Sequence, residues 1–588
     1  FDLETTSPQR GKYFAVDEAE IVGYSLSWED SKAVYVDGKP QAVQLVLESP
    51  LYEKIAHNAK FELGRLRAEG IELTNYQCTA IAAYLLQKPS VALKALARQE
   101  LGRDPITYKT ITQGRDMSDI PPLEVVEYAA ADADNARLLW YKLKPELLRA
   151  GLWNLYRDIE LPVVPVLESM ESRGVLVDEK QAIAVREGLE VEIERAREEA
   201  ATQGLPEACD VGSSEQVARA LEEMGAPIKT RTESKHLLST DEDTLLSLVE
   251  NGWMPDMCRA ILQFRSARKT QSFATQYLEL RGKDGRLHPS YTQAVSEISK
   301  GKERDRGGPV TGRLACSGPN LEQQPKIKGG SWVAKLRRCI IPTPGMVLVA
   351  ADIGQEEPRI AAYVVQEQRM LAELASGIPL YGTFGEGLFL RAVDKHADPQ
   401  HWDVAKKSLL SFIWGTAGYR SWAPTVVDLC ADHHIPITLE AAVAAHKRLE
   451  ARFPGVAVWR RKVLADLKRD GCVVDYFGRR RLIPDIYSMD REIAAGGHRK
   501  AMNTLIQGPA ASVLKIAMSR VHSSFLARNI NAHLLIPIHD ELVVECAPSE
   551  LDKTADILYA MTERVFPVVL PVEVKAGPNW ADMTIIRG

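Results

Sequence analysis

The stretch MVLVAADIGQEEPRIAAYVV (residues 346–365) decides the fold, because it changes from an apolar strand to a helix near one acidic residue. The apolar run predicts a buried strand that ends at Asp352, and Pro358 suits the first turn of the helix that follows. A carboxylate at the end of a buried strand is costly unless it is paired or bound to a metal. Asp352 is therefore interpreted as a metal ligand, with a helix N-cap as the alternative.

A second stretch, AHLLIPIHDELVVECA (residues 532–547), predicts two apolar strands joined by a tight turn at His539, Asp540 and Glu541. Three polar residues at a hairpin tip also suit an ordinary solvated turn. Carboxylates on neighbouring strand ends would provide what two-metal phosphoryl transfer needs, which is a pair of divalent ions about 3.5–4 Å apart. The two stretches together predict such a site.

The segment WDVAKKSLLSFIWG (residues 402–415) predicts a helix that begins at about residue 400 and stops before Gly415. Four of its side chains recur at intervals of four residues and so share one face: Trp402, Lys406, Leu410 and Trp414. A lysine among large apolar groups is typical of a core helix whose lysine reaches solvent. The same face also suits a helix that binds a triphosphate by its lysine.

Bulk properties describe a protein of several domains. The chain has 588 residues, which is too many for one hydrophobic core, so three or four domains are expected. A net charge of −6 argues against a protein that simply coats nucleic acid but leaves an enzyme open. The eight cysteines have no metal-ligand spacing, and no apolar run reaches the length of a membrane span. The start at Phe1, without a Met, predicts a fragment or processed form.

These motifs resemble DNA polymerase family A, the bacterial polymerase I type. DIGQEEPRI (352–360) is similar to the first motif of the family, whose usual form is DYSQIELRI, and 402–415 is similar to its second motif, R-x3-K-x3-[FY]-x3-YG. IHDELVVE (538–545) matches the third motif closely. Three further segments resemble the family in the same chain order: TGRLACSGPNLEQQP (311–325), FGRRRLIPDI (477–486) and RKAMNTLIQGPAASVLK (499–515).

The resemblance implies a multidomain α/β and α+β architecture. An RNase H-like exonuclease domain over residues 1–150 would precede a right-hand polymerase with a helical thumb over 151–310. The palm, with an antiparallel sheet, would comprise 311–365 and 485–588. Helical fingers would comprise 366–484.

The resemblance also implies a DNA-directed DNA polymerase that adds deoxynucleotides to a primer 3′-OH by two-metal-ion transfer. Asp352 and Asp540 would hold two Mg²⁺ ions, for which Mn²⁺ could substitute, and Glu541 would assist. Lys406 would contact the phosphates and protonate the leaving group. The incoming dNTP would be contacted by Gln355, Glu357, Tyr381, Lys406, Leu410 and Trp414. The primer–template duplex would be contacted by Arg313, Asn320, Arg499, Asn503, Gln507 and His539.

Three positions within 402–415 depart from the second motif of the family. Trp402 replaces a phosphate-binding arginine, which removes a rigid bidentate donor, and Lys407 or Arg420 could supply the missing charge. Leu410 replaces the Phe or Tyr that packs on the incoming sugar, so strong discrimination against dideoxynucleotides is expected. Trp414 replaces a tyrosine that bonds the sugar-selecting glutamate, and its indole N–H is expected to donate to Glu357 instead.

The N-terminal region carries a second acidic set. Asp2 and Glu4 fall on the same face of a strand, and Tyr128 and Asp132 are one helical turn apart. Taken singly, such acids are usually solvated. Their order, together with Glu62 in HNAKFELGRL, resembles the tyrosine-containing branch of the DEDD exonucleases.

In that family the four carboxylates, here Asp2, Glu4, Glu62 and Asp132, bind two metals and the tyrosine, here Tyr128, orients water. Glu62 stands where an Asp is usual, which moves the carboxylate by about one C–C bond, or about 1.5 Å. We expect an active 3′→5′ nuclease, with a purely structural domain as the alternative.

The expected partners are primer–template DNA and dNTPs, with no membrane and no thioredoxin-type processivity factor. Basic runs at 265–270 and 300–306 are predicted to clamp the duplex backbone. A monomer is expected, in the cytoplasm of a bacterial or phage-infected cell, with an organellar location left open. A nuclease with a DNA-binding C-terminal region, a non-catalytic DNA-binding module and RNA-templated synthesis stand as alternatives.

Overall fold

The computed structural model describes residues 1–6, 19–29, 32–228, 237–294, 310–324, 332–415 and 419–588. Buried apolar side chains form a main core and a small second one within residues 1–164, one within 196–264 and a large one within 163–580. In these ranges no helix combines the length and the apolar character needed to cross a bilayer. Because the large core is continuous from 163 to 580, the proposed limits of palm and fingers stay predictions.

The N-terminal region combines a small antiparallel sheet with helices. Its sheet has the order β1-β2-β3, in which β2 and β3 form an antiparallel hairpin. The strand β4 leads into α2 and pairs in parallel with β5. The strands are β1 (Asp2–Thr5), β2 (Ile21–Glu29), β3 (Lys32–Asp37), β4 (Lys54–Ala56) and β5 (Tyr76–Cys78). The helices are α1 (Gln44–Glu48), α2 (Ala59–Ala68), α3 (Thr79–Leu85), α4 (Leu93–Leu101), α5 (Tyr108–Thr112) and α6 (Pro122–Arg149).

The next region is helical, as predicted, and includes a π-helical turn at Tyr156–Glu160. Its two longest helices, α9 and α12, pack against each other. The side chain of Ser213 accepts a hydrogen bond from the N–H of Gln216 and so caps α10. The helices are α7 (Trp153–Leu155), α8 (Leu161–Arg173), α9 (Glu179–Thr202), α10 (Ser214–Glu223), α11 (Glu242–Glu250) and α12 (Pro255–Glu279). Short strands are β6 (Val175–Leu176), β7 (Arg286–Leu287), β8 (Ser290–Thr292) and β9 (Ala315–Ser317).

An antiparallel sheet forms the centre of the C-terminal half. Its strand order is β13-β14-β10-β15-β16, so the strand that carries Asp352 lies in the middle. Its apolar run buries both faces of β10, as expected of a central strand covered on both sides. The strands are β10 (Val347–Ile353), β13 (Ala532–Ile538), β14 (Glu541–Cys546), β15 (Val572–Gly577) and β16 (Thr584–Arg587).

Helices surround this sheet and build the block between its strands. The predicted helix of the second motif is α17, and Pro399 stands at its first position. A small hairpin, β11 (Cys472–Val474) with β12 (Arg480–Leu482), follows the block. The helices are α13 (Trp332–Arg338), α14 (Glu356–Val365), α15 (Gln368–Ala375), α16 (Leu380–Phe389), α17 (Pro399–Trp414), α18 (Tyr419–Ala431), α19 (Leu439–Arg452), α20 (Pro454–Asp470), α21 (Arg491–Ala527) and α22 (Leu551–Tyr559).

Candidate active sites

The central sheet brings Asp352 and Asp540 to the same edge. Asp352 stands one residue before the end of β10, opposite Glu541 of β14 on one side and Glu573 of β15 on the other. The N–H of Ile353 donates to the carbonyl of Asp540 at 2.9 Å, which fixes the β13–β14 turn beside the end of β10. The two stretches of sequence that predicted a shared site are therefore adjacent.

Burial and mutual repulsion govern the carboxylates at this edge. Burial, and then the charge of Asp540, raises the pKa of Asp352 to about 6. Burial also raises the pKa of Glu541, whose Oε1 accepts a hydrogen bond from the indole N–H of Trp580 at 3.4 Å. Carboxylate oxygens are the ligands that hard divalent cations prefer. The donor set at this edge therefore fits Mg²⁺ or Mn²⁺ better than a soft metal ion.

Glu357, which is predicted to select the sugar, has a different partner from the one expected. Arg313 donates to Oε1 of Glu357, and the two side chains form an ion pair. The indole N–H of Trp414 is buried and has no hydrogen-bond partner among the described residues. The prediction that Trp414 donates to Glu357 is therefore wrong. The guanidinium of Arg313 pairs with this carboxylate instead.

The predicted face of α17 is accessible to solvent. Residues of α17 that lie between those of this face, such as Phe412, are buried in the large core. The side of the helix that carries Lys406 therefore faces outward. Trp402 meets the ring of Tyr381 edge to face, with the ring centroids 5.8 Å apart. The ammonium of Lys406 lies 5.9 Å from the centroid of Tyr381. Leu410 and Trp414 continue the same partly exposed row.

The residues predicted to contact DNA lie in four parts of the fold. Arg499, Asn503 and Gln507 follow one another at intervals of four along α21, and none of them is fully buried. Asn320 caps a short 3₁₀ helix, because its Oδ1 accepts from the N–H groups of Glu322 and Gln323 at 3.1 Å. Only its amide N–H₂ is therefore free of the cap. The remaining two, Arg313 and His539, lie beside Glu357 and in the β13–β14 turn.

In the N-terminal region, Asp2 and Glu4 of β1 meet Asp132 of α6. Oxygens of these three carboxylates lie within 4.8 Å of one another. Burial, and then the charge of Asp132, raises the pKa of Asp2 to about 7, and burial followed by Asp2 raises that of Glu4 to about 9. Oε1 of Glu4 is buried without a partner among the described residues. A cluster of oxygen ligands with an unsatisfied atom fits a hard divalent cation.

Two further members of this predicted set flank the cluster. Glu62 of α2 is buried, and its Oε2 also lacks a partner within the described ranges, but Glu62 lies outside the 4.8 Å group. Burial, and then the charge of Asp2, raises the pKa of Glu62 well above its ordinary value. Tyr128 lies one turn before Asp132 on α6, and burial raises its pKa.

Comparison with known proteins shows the family. The model for DNA polymerase family A matches residues 179–582, and the model for 3′-5′ exonuclease matches residues 1–148. The chain belongs to DNA polymerase family A. The first match contains Asp352 and Asp540, and the second contains Asp2, Glu4 and Asp132.

Relatives of this family A chain are bacterial enzymes. It is 28% identical to DNA polymerase I of Rhizobium leguminosarum, over 99% of this chain and 58% of that protein. It is 30% identical to the thermostable DNA polymerase I of Thermus aquaticus, over 75% of this chain and 49% of that protein. The chain thus spans about half to three-fifths of the length of these relatives.

A solved structure has the same fold as this family A chain. It is the polymerase domain of Pol1 from M. smegmatis in complex with DNA primer-template and dNTP. The TM-score is 0.83 at 24% sequence identity, over 96% of this chain and 93% of that one. The multidomain fold with an exonuclease region before a polymerase region is therefore confirmed.

Lys407, one of the two residues expected to supply the charge absent at Trp402, is already paired in this family A chain. Lys407 forms an ion pair with Asp403 at 2.9 Å, one turn back on α17, and the Nε2 of His433 contacts the same carboxylate at 3.0 Å. Arg420 is exposed on α18. Lys406, whose ammonium faces Tyr381, remains a cation on the accessible row.

One carboxylate near the sheet edge of Asp352 and Asp540 was not predicted from the motifs. Glu356, at the start of α14, is 4% exposed, and its Oε1 has no hydrogen-bond partner in the described part of the chain. Burial, and then the charge of Asp540, raises the pKa of Glu356 well above its ordinary value. The sequence does contain a signal for this carboxylate, because Glu356 replaces the isoleucine of the usual motif DYSQIELRI.

A lysine beside the carboxylates of Asp2, Glu4 and Asp132 was also not predicted from the sequence motifs. The ammonium of Lys94 donates to Oδ1 of Asp132 and lies 4.1 Å from the ring centroid of Tyr128. Lys94 is in the first turn of α4, where the helix dipole disfavours a cation. That unfavourable position was the signal in the sequence.

The predicted clamp runs are only partly described. Arg265 of the 265–270 run donates to the carbonyl of Thr240, and burial lowers its pKa, so it stabilises the local fold. The guanidinium of Arg268 lies 5.8 Å from the ring centroid of Phe264. The run at 300–306 lies outside the described residues.

Proposed function

We propose that this chain is a DNA-directed DNA polymerase that extends a primer 3′-OH, with a 3′→5′ proofreading exonuclease in residues 1–150. The adjacency of Asp352 and Asp540 carries the proposal, because two carboxylates at one strand edge suit the metal pair of phosphoryl transfer. The match to DNA polymerase family A supports the same reaction.

In the polymerase centre, Asp352 and Asp540 would hold two Mg²⁺ ions, which stabilise the attacking and leaving oxygens. Lys406 contacts the triphosphate and donates a proton to the pyrophosphate leaving group. Glu357 occupies the space that a ribose 2′-OH would need and so selects deoxynucleotides. Gln355, Tyr381, Leu410 and Trp414 line the remaining side of the nucleotide.

The duplex is held next to this centre by side chains from four parts of the fold. Arg313 and Arg499 bind the backbone and the primer end as cations. Asn503 and Gln507, which lie on the accessible side of α21, donate to minor-groove acceptors that every correct base pair presents. His539 approaches the primer terminus from the β13–β14 turn, and Asn320 approaches it with its free amide.

In the exonuclease centre, Asp2, Glu4 and Asp132 would hold the metal ions, and Glu62 would act from just outside that group. Tyr128 orients the water that attacks the terminal phosphodiester. Since both centres are built from a single chain, we propose a monomer. The bacterial relatives support a cytoplasmic location.

Primer extension tests the polymerase proposal. Asp540→Asn should abolish extension on a DNA template, whereas the exposed Asp552→Asn on α22 should extend like the parent. An RNA template should support little synthesis by either protein. Full extension by Asp540→Asn would disprove the two-metal assignment.

Digestion of a mismatched primer with Mg²⁺ and without dNTPs tests the exonuclease proposal. The parent should remove the mismatched nucleotide, and Asp132→Asn should not, while both still extend a matched primer. A parent that extends primers but leaves the mismatch intact would favour a polymerase whose N-terminal domain is only structural.

A further inference from the structure

Lys94 places a positive charge inside the carboxylate cluster of residues 1–150. Its ammonium donates to Oδ1 of Asp132 and faces the ring of Tyr128 at 4.1 Å. The side chain is 21% exposed, so most of it is enclosed by the exonuclease region. Lys94 therefore contacts both a predicted metal ligand and the residue predicted to orient water.

The charge of Lys94 acts on the whole cluster. Its ammonium pairs with Asp132, and oxygens of Asp2, Glu4 and Asp132 all lie within 4.8 Å of one another. Ionising these carboxylates in the metal-free protein therefore brings like charges together. Lys94 offsets part of that repulsion in the metal-free protein.

The same contact conflicts with a bound divalent ion. Mg²⁺ binds carboxylate oxygens at about 2.0–2.1 Å and demands nearly ideal geometry. An ammonium hydrogen-bonded to the same carboxylate competes for its oxygen and repels the ion. Two cations therefore compete for Asp132.

We propose that Lys94 is a positioning residue and the resident counter-ion of the exonuclease centre, which a divalent cation displaces from Asp132 on binding. This inference rests on the proposed exonuclease function. Before the ion binds, the ammonium keeps Asp132 and Tyr128 in place and limits repulsion within the cluster. Displacing Lys94 costs free energy, and metal binding must supply it.

The proposal predicts two effects of opposite sign. Removing the ammonium should lower the thermal stability of the metal-free protein, because the cluster loses its cation. It should also tighten divalent-ion binding, because the competitor is gone. A lysine with only a structural role would lower stability without tightening metal binding. A lysine that only contacts the DNA phosphate would leave metal binding unchanged.

Mn²⁺ binding to the full chain tests the inference. The background carries Asp352→Asn and Asp540→Asn, so that the polymerase centre does not contribute, and binding is followed by the paramagnetic signal of free Mn²⁺. Lys94→Met should bind Mn²⁺ several-fold more tightly and unfold at a lower temperature in EDTA. Lys94→Arg, which keeps the charge, should bind as the background does.

Arg98→Met is the matched control, since Arg98 lies one turn further along α4 and pairs with the exposed Asp104. It should alter neither quantity. If Lys94→Met does not fold, Lys94→Gln provides the same comparison. Unchanged or weaker Mn²⁺ binding in the lysine variants would overturn the counter-ion role. Binding that does not depend on Asp132 in the background protein would overturn the exonuclease centre itself.

Discussion

Glu160 and Lys515 form an ion pair inside the protein, although 355 residues separate them in the chain. The ammonium lies 2.9 and 2.8 Å from the two carboxylate oxygens, and neither side chain is more than 1% exposed. Arg479 donates to the same carboxylate. Burial tends to raise the pKa of Glu160, but the charges of Lys515 and Arg479 lower it to about 2. The cluster joins the π-helical turn to α21 and to the β11–β12 hairpin.

Glu160→Gln should destabilise the protein, because it leaves two buried cations without their shared anion. Breaking a buried pair by removing one partner costs about 3–5 kcal/mol. Urea unfolding near neutral pH should show a lower midpoint for this variant. Asp158→Asn, two residues earlier in an exposed pair with Arg157, should change stability by no more than about 0.5 kcal/mol. Equal midpoints for Glu160→Gln and the parent would contradict the prediction.

Acid should remove the contribution of this carboxylate. Its pKa is about 2 in the folded chain against an ordinary 4.5, so the stability it provides is complete above pH 4.5 and is lost as pH falls towards 2. Burial lowers the pKa of Lys515, and the charge of Glu160 opposes that shift. The difference in urea midpoint between the parent and Glu160→Gln should shrink steadily from pH 4.5 to pH 2. A constant difference would show that another group is responsible.

The exonuclease cluster should respond to pH in the opposite direction when metal is removed. Burial, and then the charges of Asp2 and Asp132, raises the pKa of Glu4 to about 9 from an ordinary 4.5. A carboxyl with a raised folded pKa holds its proton more tightly in the folded chain, so stability falls as pH rises from 4.5 to 9. Thermal unfolding in EDTA should occur at a lower temperature near pH 9 than near pH 5. Excess Mg²⁺ or Glu4→Gln should reduce that difference.

Leu410 should make the polymerase discriminate against dideoxynucleotides. Leu410→Tyr supplies a hydroxyl that can replace the missing 3′-OH, and a hydrogen bond to a charged group contributes about 1.5–3 kcal/mol. The ratio of ddTTP to dTTP incorporation should therefore rise by about 10- to 100-fold. Leu410→Phe provides a ring without a hydroxyl and should leave the ratio near that of the parent. Equal use of both nucleotides by the parent would contradict this account.

Ribonucleotide exclusion should depend on Glu357 but not on the indole of Trp414. Arg313 holds Glu357, whereas the indole N–H has no partner among the described residues. Trp414→Phe should therefore leave the ratio of UTP to dTTP incorporation unchanged. Glu357→Ala opens the space for a 2′-OH and should raise the ratio by about 10- to 200-fold, the usual range for one small group in a pocket. A large effect of Trp414→Phe would mean that the indole bonds Glu357 once DNA and nucleotide are bound.

Local sequence was sufficient for the main elements of the polymerase centre. The change from an apolar strand to a helix around Asp352 specifies β10 and α14, and Pro358 falls within the first turn of that helix. The four-residue spacing from Trp402 to Trp414 specifies an accessible face because a helix has 3.6 residues per turn. These features depend only on neighbours in the chain.

Other features depend on residues that are distant in the chain and could not be predicted. Arg313 and Glu357 are 44 residues apart, and only the folded structure shows that their side chains pair. The contact of Lys94 with Asp132 has the same character, since α4 and α6 must pack before the charges meet. Glu356 matches no residue of the first motif, so the resemblance gave no reason to expect a buried carboxylate there.

The side chain of Gln87 occupies the edge of a strand that belongs to the polymerase half. Its amide donates to the carbonyl of Arg480 at 2.7 Å and accepts from the N–H of Leu482 at 2.9 Å, as a neighbouring strand would. A shortened chain that lacks the first 150 residues would leave β12 with open hydrogen-bonding groups, which invite pairing with another molecule. The N-terminal region therefore also closes a strand edge of the C-terminal half.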